Sequence, residues 1–115
     1  MKLTGIHHVS INVSDLDRSV AFYTDVLGLA LDSTRPDLTV KGVWLNLPAG
    51  QLHLIVGEVP TANGQHFALG VTDLDDAIAE LRGSGVDVRG PCPVGAARQA
   101  FLSDPDGNAI ELQAR

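Results

Sequence analysis

At a shift of 58 positions this sequence repeats itself, and an internal copy leaves a short chain few architectures. The segment HVSINVSDLDRSVAFY, starting at His8, falls on HFALGVTDLDDAIAEL, starting at His66. Ile11 pairs with Leu69, Val13 with Val71, and Val20 with Ile78. Between them Ser14, Asp15, Leu16 and Asp17 pair with Thr72, Asp73, Leu74 and Asp75. Far along the chain, the same shift carries His53 in QLHLIV onto Glu111 in AIELQ.

Hydrophobic periodicity assigns elements to each copy. Residues 5–13 predict a strand with Val9, Ile11 and Val13 on one face and His8, Ser10 and Asn12 on the other. Ser14 is the expected cap of a helix with the stripe Leu16, Val20, Tyr23 and Leu27, ended by Gly28. Strands are predicted over 29–34, 42–47 and 51–56, the last two joined by a Pro-Ala-Gly turn. Residues 58–64, with Pro60 and Gly64, read as a linker. The second copy predicts a strand over 65–71, a helix capped by Thr72 and ended by Gly83 and Gly85, and a short strand over 86–89. A Gly- and Pro-rich loop over 90–97 follows, then strands over 99–103 and 108–113 around an Asp-Pro-Asp-Gly turn. The expectation is an α+β fold: one domain over residues 1–115, made of two βαβββ modules spanning 5–57 and 65–114.

The alternation also sorts chemistry by face. In each strand that holds His8, His53, His66 or Glu111, the apolar alternation belongs to one face and the named residue lies on the other, where His53 is joined by Ile55 and His66 by Ala68. A slip of one residue would reverse that assignment. Packed with these faces inward, two such units would form a cleft on which four donor groups converge. Neutral imidazole and carboxylate are good ligands for zinc, nickel, iron, manganese or cobalt, so a divalent metal is the expected cofactor. Trp44 and Asn46 match Phe101 and Ser103 at a shift of 57, and these four are the candidate pocket walls. Arg98 and Gln99 follow the glycine-rich loop and are candidates to meet an anionic substrate.

Composition narrows the classes of function. The chain has 115 residues and a net charge of −6, and its eight Lys and Arg are scattered. The electrostatic footprint of nucleic-acid binding is therefore missing. No run approaches the roughly 20 apolar residues of a membrane span, and the first residues do not follow the signal-peptide pattern. The single cysteine, Cys92, lies between prolines and cannot form an internal disulfide. A cytoplasmic protein with a small-molecule substrate is expected, without nucleic-acid or membrane partners.

Three stretches carry a family resemblance: HHVSINVSDLDRSVAFYTDVLGL, QHFALGVTDLDDAIAELRGSGV and FLSDPDGNAIELQ. They resemble the paired βαβββ modules of the vicinal oxygen chelate superfamily, also called the glyoxalase/bleomycin resistance/dioxygenase family. The resemblance implies curved sheets around a cleft, a divalent metal on the inward strands, substrates that chelate it through adjacent oxygens, and commonly a homodimer. His8 matches the ligand of the first strand, His66 its counterpart in the second module, and Glu111 the carboxylate of the last strand. His53 departs from glyoxalase I, which has a Glu there, and this counts against proton shuttling by paired glutamates. The leading expectation is a metal-dependent lyase or isomerase in which Glu111 moves protons. His53 is then either a fourth ligand or a second acid/base. Two alternatives stay open: an iron(II) dioxygenase using the same ligands, and a non-catalytic protein that binds an antibiotic or other ligand.

Overall fold

Strands form where polar and apolar residues alternate, and helices where the apolar spacing widens to three and four. The computed structural model describes residues 1–114. Its described chain divides into two units, Met1–Pro60 and the part from Thr61 onward.

In the first unit β1 spans His8–Val13, α1 Leu16–Ala21, β2 Ala30–Leu31, β3 Gly42–Leu47 and β4 Gly50–Val56. The sheet order is β1-β4-β3-β2, with β1 parallel to β4 and the other pairs antiparallel. In the second unit β5 spans His66–Gly70, α2 Leu74–Gly83, β6 Arg89–Val94, β7 Ala97–Ser103 and β8 Ala109–Ala114. Its order, β5-β8-β7-β6, repeats the first. Each unit is thus a four-stranded mixed sheet with one helix, the expected α+β class.

The repeat extends to register. His8 stands opposite Gln51 on β1 and β4, and His66 opposite Ala109 on β5 and β8. Trp44 faces His53 across β3 and β4, and Phe101 faces Glu111 across β7 and β8. The one-residue difference between the two shifts originates in the connections. Pro48 and Ala49 link Leu47 to Gly50, whereas Pro105, Asp106 and Gly107 separate Asp104 from its ladder partner Asn108. The buried Asp104 carboxylate holds that longer turn. Its Oδ1 accepts from the backbone N–H groups of Asp106 and Asn108, both at 2.9 Å, and its Oδ2 from Asn108 Nδ2 at 2.9 Å.

The apolar faces form the core. Val13, Tyr23, Leu45 and Leu54 are fully buried in the first unit, with Leu52 nearly so. Ile110, Ala100, Leu112, Leu74 and Ile78 are buried in the second.

Five expectations are corrected. Asp15 and Asp73, not Ser14 and Thr72, cap the helices; their carboxylates accept from the N–H groups of Arg18 (3.2 Å) and Asp76 (3.0 Å). A carboxylate also complements the positive end of the helix dipole, which a hydroxyl does not. The first helix does not run regularly to Leu27, because Phe22–Val26 form a π-helical turn closed by the Leu27 N–H on the Phe22 carbonyl at 3.1 Å. Gly28 then takes a left-handed φ of 79°, as a chain-terminating glycine should. The first strand begins at His8, not at residue 5, and the strand expected over 29–34 is only Ala30–Leu31. Finally, residues 86–89 do not form a separate strand; the strand lies in the run read as a loop, at Arg89–Val94. Pro91 and Pro93 are tolerated there because β6 is an edge strand, where a missing N–H costs no ladder bond on the open side.

Candidate metal centre

The last strand places Glu111 on the face opposite Ile110 and Leu112, yet the carboxylate is nearly buried. Parallel pairing of β5 with β8 brings His66 beside it, with His66 Nε2 3.5 Å from Glu111 Oε1. The other ring nitrogen of His66 lies 2.9 Å from the Gly64 carbonyl. A carbonyl only accepts, so Nδ1 carries the hydrogen, and in the neutral ring Nε2 presents its lone pair to the carboxylate. Two electron-rich atoms thus face each other across a gap wider than an ordinary hydrogen bond. Donor atoms about 2.1 Å from a shared cation stand roughly 3.4 Å apart at a tetrahedral angle. The pair therefore fits a divalent ion in spacing and in donor chemistry. Phe101 makes an edge contact with the His66 ring at 5.7 Å between centroids, and the Arg89 guanidinium lies 5.7 Å from the Phe101 ring centre.

In the first unit His8 and His53 take the equivalent places, but both are imidazoles. Their rings stack at 3.9 Å and 13°. Trp44 stacks on His53 as well, at 4.8 Å and 14°. His53 is thus half-buried between two flat rings. Burial is the main cause that lowers its pKa from the usual 6.5; the charges of His8, His7 and Arg35 lower it further, while Asp32 acts in the opposite sense. His7 Nδ1 lies 2.9 Å from His8 Nδ1, which leaves Nε2 of His8 outside that bond.

The four sequence-derived ligands are therefore described as two pairs, His8 with His53 and His66 with Glu111. Among the described residues, no three His, Cys, Asp or Glu side chains gather as a metal-binding group. Of the candidate walls, Trp44 and Phe101 contact a candidate ligand, Asn46 accepts a hydrogen bond from Gln51, and Ser103 is exposed at the end of β7. Arg98 is committed elsewhere: it forms a two-pronged ion pair with Asp75 at 2.8 and 3.1 Å. Two residues escaped the sequence reading. Gln51 Oε1 lies 2.9 Å from His53 Nε2, and Asp32 Oδ2 accepts from Gln51 Nε2 at 3.0 Å. The alternation that put His53 on its face puts Gln51 there too, so that half of the signal was present.

The fold has known counterparts. Residues 5–112 match the model of the Glyoxalase/Bleomycin resistance protein/Dioxygenase superfamily, and the chain belongs to that family. It is 36% identical to a lactoylglutathione lyase of Haemophilus influenzae over 122 aligned positions, covering 93% of this chain and 90% of that protein. Among solved structures it is similar to an integron cassette protein from the mobile metagenome of a Halifax Harbour sewage outfall (TM-score 0.84, 28% identity, 98% and 100% covered). It is also similar to TnmS3, an antibiotic binding protein from Streptomyces sp. CB03234 (TM-score 0.79, 28% identity, 97% and 96% covered).

Proposed function

We propose that this protein is a metal-dependent lyase or isomerase of the glyoxalase type, acting on a small substrate with a carbonyl next to a second oxygen. The observation that carries the reading is the opposed donor pair of His66 and Glu111, 3.5 Å apart with the His66 tautomer set by Gly64. Similarity to a lactoylglutathione lyase supports the reaction class. His8, His53, His66 and Glu111 are the proposed ligands. The proposal also takes residues 5–57 and 65–114 as duplicated modules of one domain, working as a cytoplasmic homodimer. No helix among the described residues is long and apolar enough to cross a membrane.

A divalent ion, when bound, supplies Lewis-acid polarisation of the substrate's carbonyl oxygen. His66 contributes a lone pair held in direction by its bond to the Gly64 carbonyl. Glu111 takes the proton from the hydroxyl-bearing carbon beside the carbonyl and returns it to the former carbonyl carbon, while the hydroxyl proton passes to the former carbonyl oxygen, so the substrate is rearranged with no net gain or loss of protons. Sheltering by the sheet keeps water from competing for that carboxylate. Trp44 and Phe101 offer flat apolar surface beside the donors.

The test uses formation of lactoylglutathione, the compound in the relative's name, as the first assay. Glu111→Ala is expected to lower kcat by roughly 100- to 10,000-fold. Full turnover in that variant with metal still bound would remove Glu111 from the proton transfer. A second reading, sequestration of a planar ligand, is favoured by the aromatic surface of Trp44 and by the likeness to TnmS3. It predicts tight ligand binding that a chelator leaves unchanged, and no turnover.

A further inference from the structure

We propose that Asp32 and Gln51 are positioning residues that fix His53 in one tautomer, with the hydrogen on Nε2 and the lone pair on Nδ1. The argument is one of hydrogen-bond polarity. The Asp32 carboxylate is anchored through Oδ1, which accepts from the Thr34 backbone N–H at 2.7 Å and from the Thr34 hydroxyl. Those Thr34 bonds, the largest causes, hold its pKa below the usual 3.8, so it stays an acceptor only. Its other oxygen, Oδ2, accepts from the Gln51 side chain at 3.0 Å. The Gln51 group that meets a carboxylate must be the amide nitrogen. The same nitrogen donates to Asn46 Oδ1 at 3.0 Å, which agrees with that orientation. Gln51 Oε1 is then necessarily the atom that meets His53, at 2.9 Å. An amide oxygen cannot donate, so His53 Nε2 must carry the hydrogen. The Asp32 charge thus sets a direction that passes through one amide to the imidazole.

The repeat supplies an independent reason. In the second copy the position equivalent to His53 is Glu111, a carboxylate with no tautomer to select. There the position equivalent to Gln51 is Ala109, which can make no such bond. The relay therefore occurs in the copy whose side chain needs it. For a metal-ligating imidazole, the bond made by one ring nitrogen decides which atom is left to donate. That use of the relay rests on the function proposed above; the tautomer itself does not.

The experiment is long-range 1H–15N correlation of the histidine rings in metal-free, 15N-labelled, full-length protein at about pH 8, where a neutral imidazole is expected. The signals are assigned by single His substitutions. Wild type is expected to show His53 as the Nε2–H tautomer and His66 as the opposite, Nδ1–H tautomer. Gln51→Met and Asp32→Asn are each expected to move the two His53 nitrogen signals toward one another, as tautomers mix, while leaving His66 unchanged. Asp32→Asn changes one half-buried carboxylate to an amide of the same shape, so it serves if Gln51→Met does not fold. A wild-type His53 in the Nδ1–H form or in a mixture would overturn the proposal. So would a His53 pattern unchanged in Asp32→Asn. Zinc titration of the same samples reads the metal-binding proposal separately, since the tautomer pattern requires no metal.

Discussion

His53 illustrates how much one side chain's behaviour depends on its immediate neighbours. Between the His8 and Trp44 rings it loses water on both faces, and protonation would place a charge beside other basic groups. Its folded pKa therefore lies below the 6.5 of the free group. The sign for stability follows. Folding is favoured by the neutral ring above pH 6.5, and this contribution is lost as the pH falls from 6.5 through the folded value. An NMR titration of the metal-free protein is expected to place the His53 midpoint below 6.5; a midpoint at or above that value would contradict the burial argument. Residue positions were partly legible in the sequence. Alternation placed His8, His53, His66 and Glu111 on their faces because strand periodicity is a local property. The link from Asp32 to Gln51 was not legible, because it depends on how β2 and β3 pair and on which amide atom faces a charge.

Elements owe their limits to caps and close approaches that a periodicity reading misses. Asp73 begins α2 with an extended backbone and accepts from the Asp76 N–H. Asp73→Ala is expected to cost about 1 kcal/mol in urea unfolding, whereas Thr72→Ala should cost less than Asp73→Ala. Gly42 opens β3, and a Cβ there would clash with the Leu54 carbonyl oxygen, a backbone atom that cannot turn aside. Gly42→Ala is therefore expected to destabilise by about 1–3 kcal/mol; an unchanged urea midpoint would show that the sheet yields at this point. The prolines of β6 explain the one strand read as a loop. Proline is a sound loop signal in a central strand and a poor one at an edge.

At the scale of the molecule, duplication is the organising fact. Two units share strand order, helix placement and register, so a substitution in one has a matched control in the other. The fold was legible because each copy repeats the other's pattern, which separates signal from accident. The proposed metal site was legible only as a set of residue types at equivalent positions, since the identity of an ion and of a substrate is not written in strand periodicity. A bound ion that prefers the native state raises stability by about 2.7 kcal/mol at a hundredfold excess over Kd, so added metal should raise Tm in wild type. The most direct test is the metal content of purified wild type beside the variant His8→Ala, His66→Ala, Glu111→Ala. The account predicts near-stoichiometric metal in wild type and its loss in the variant, with the metal's identity separating lyase from iron(II) dioxygenase. Wild type that takes up no metal after incubation with zinc, nickel, manganese and iron(II) would contradict it.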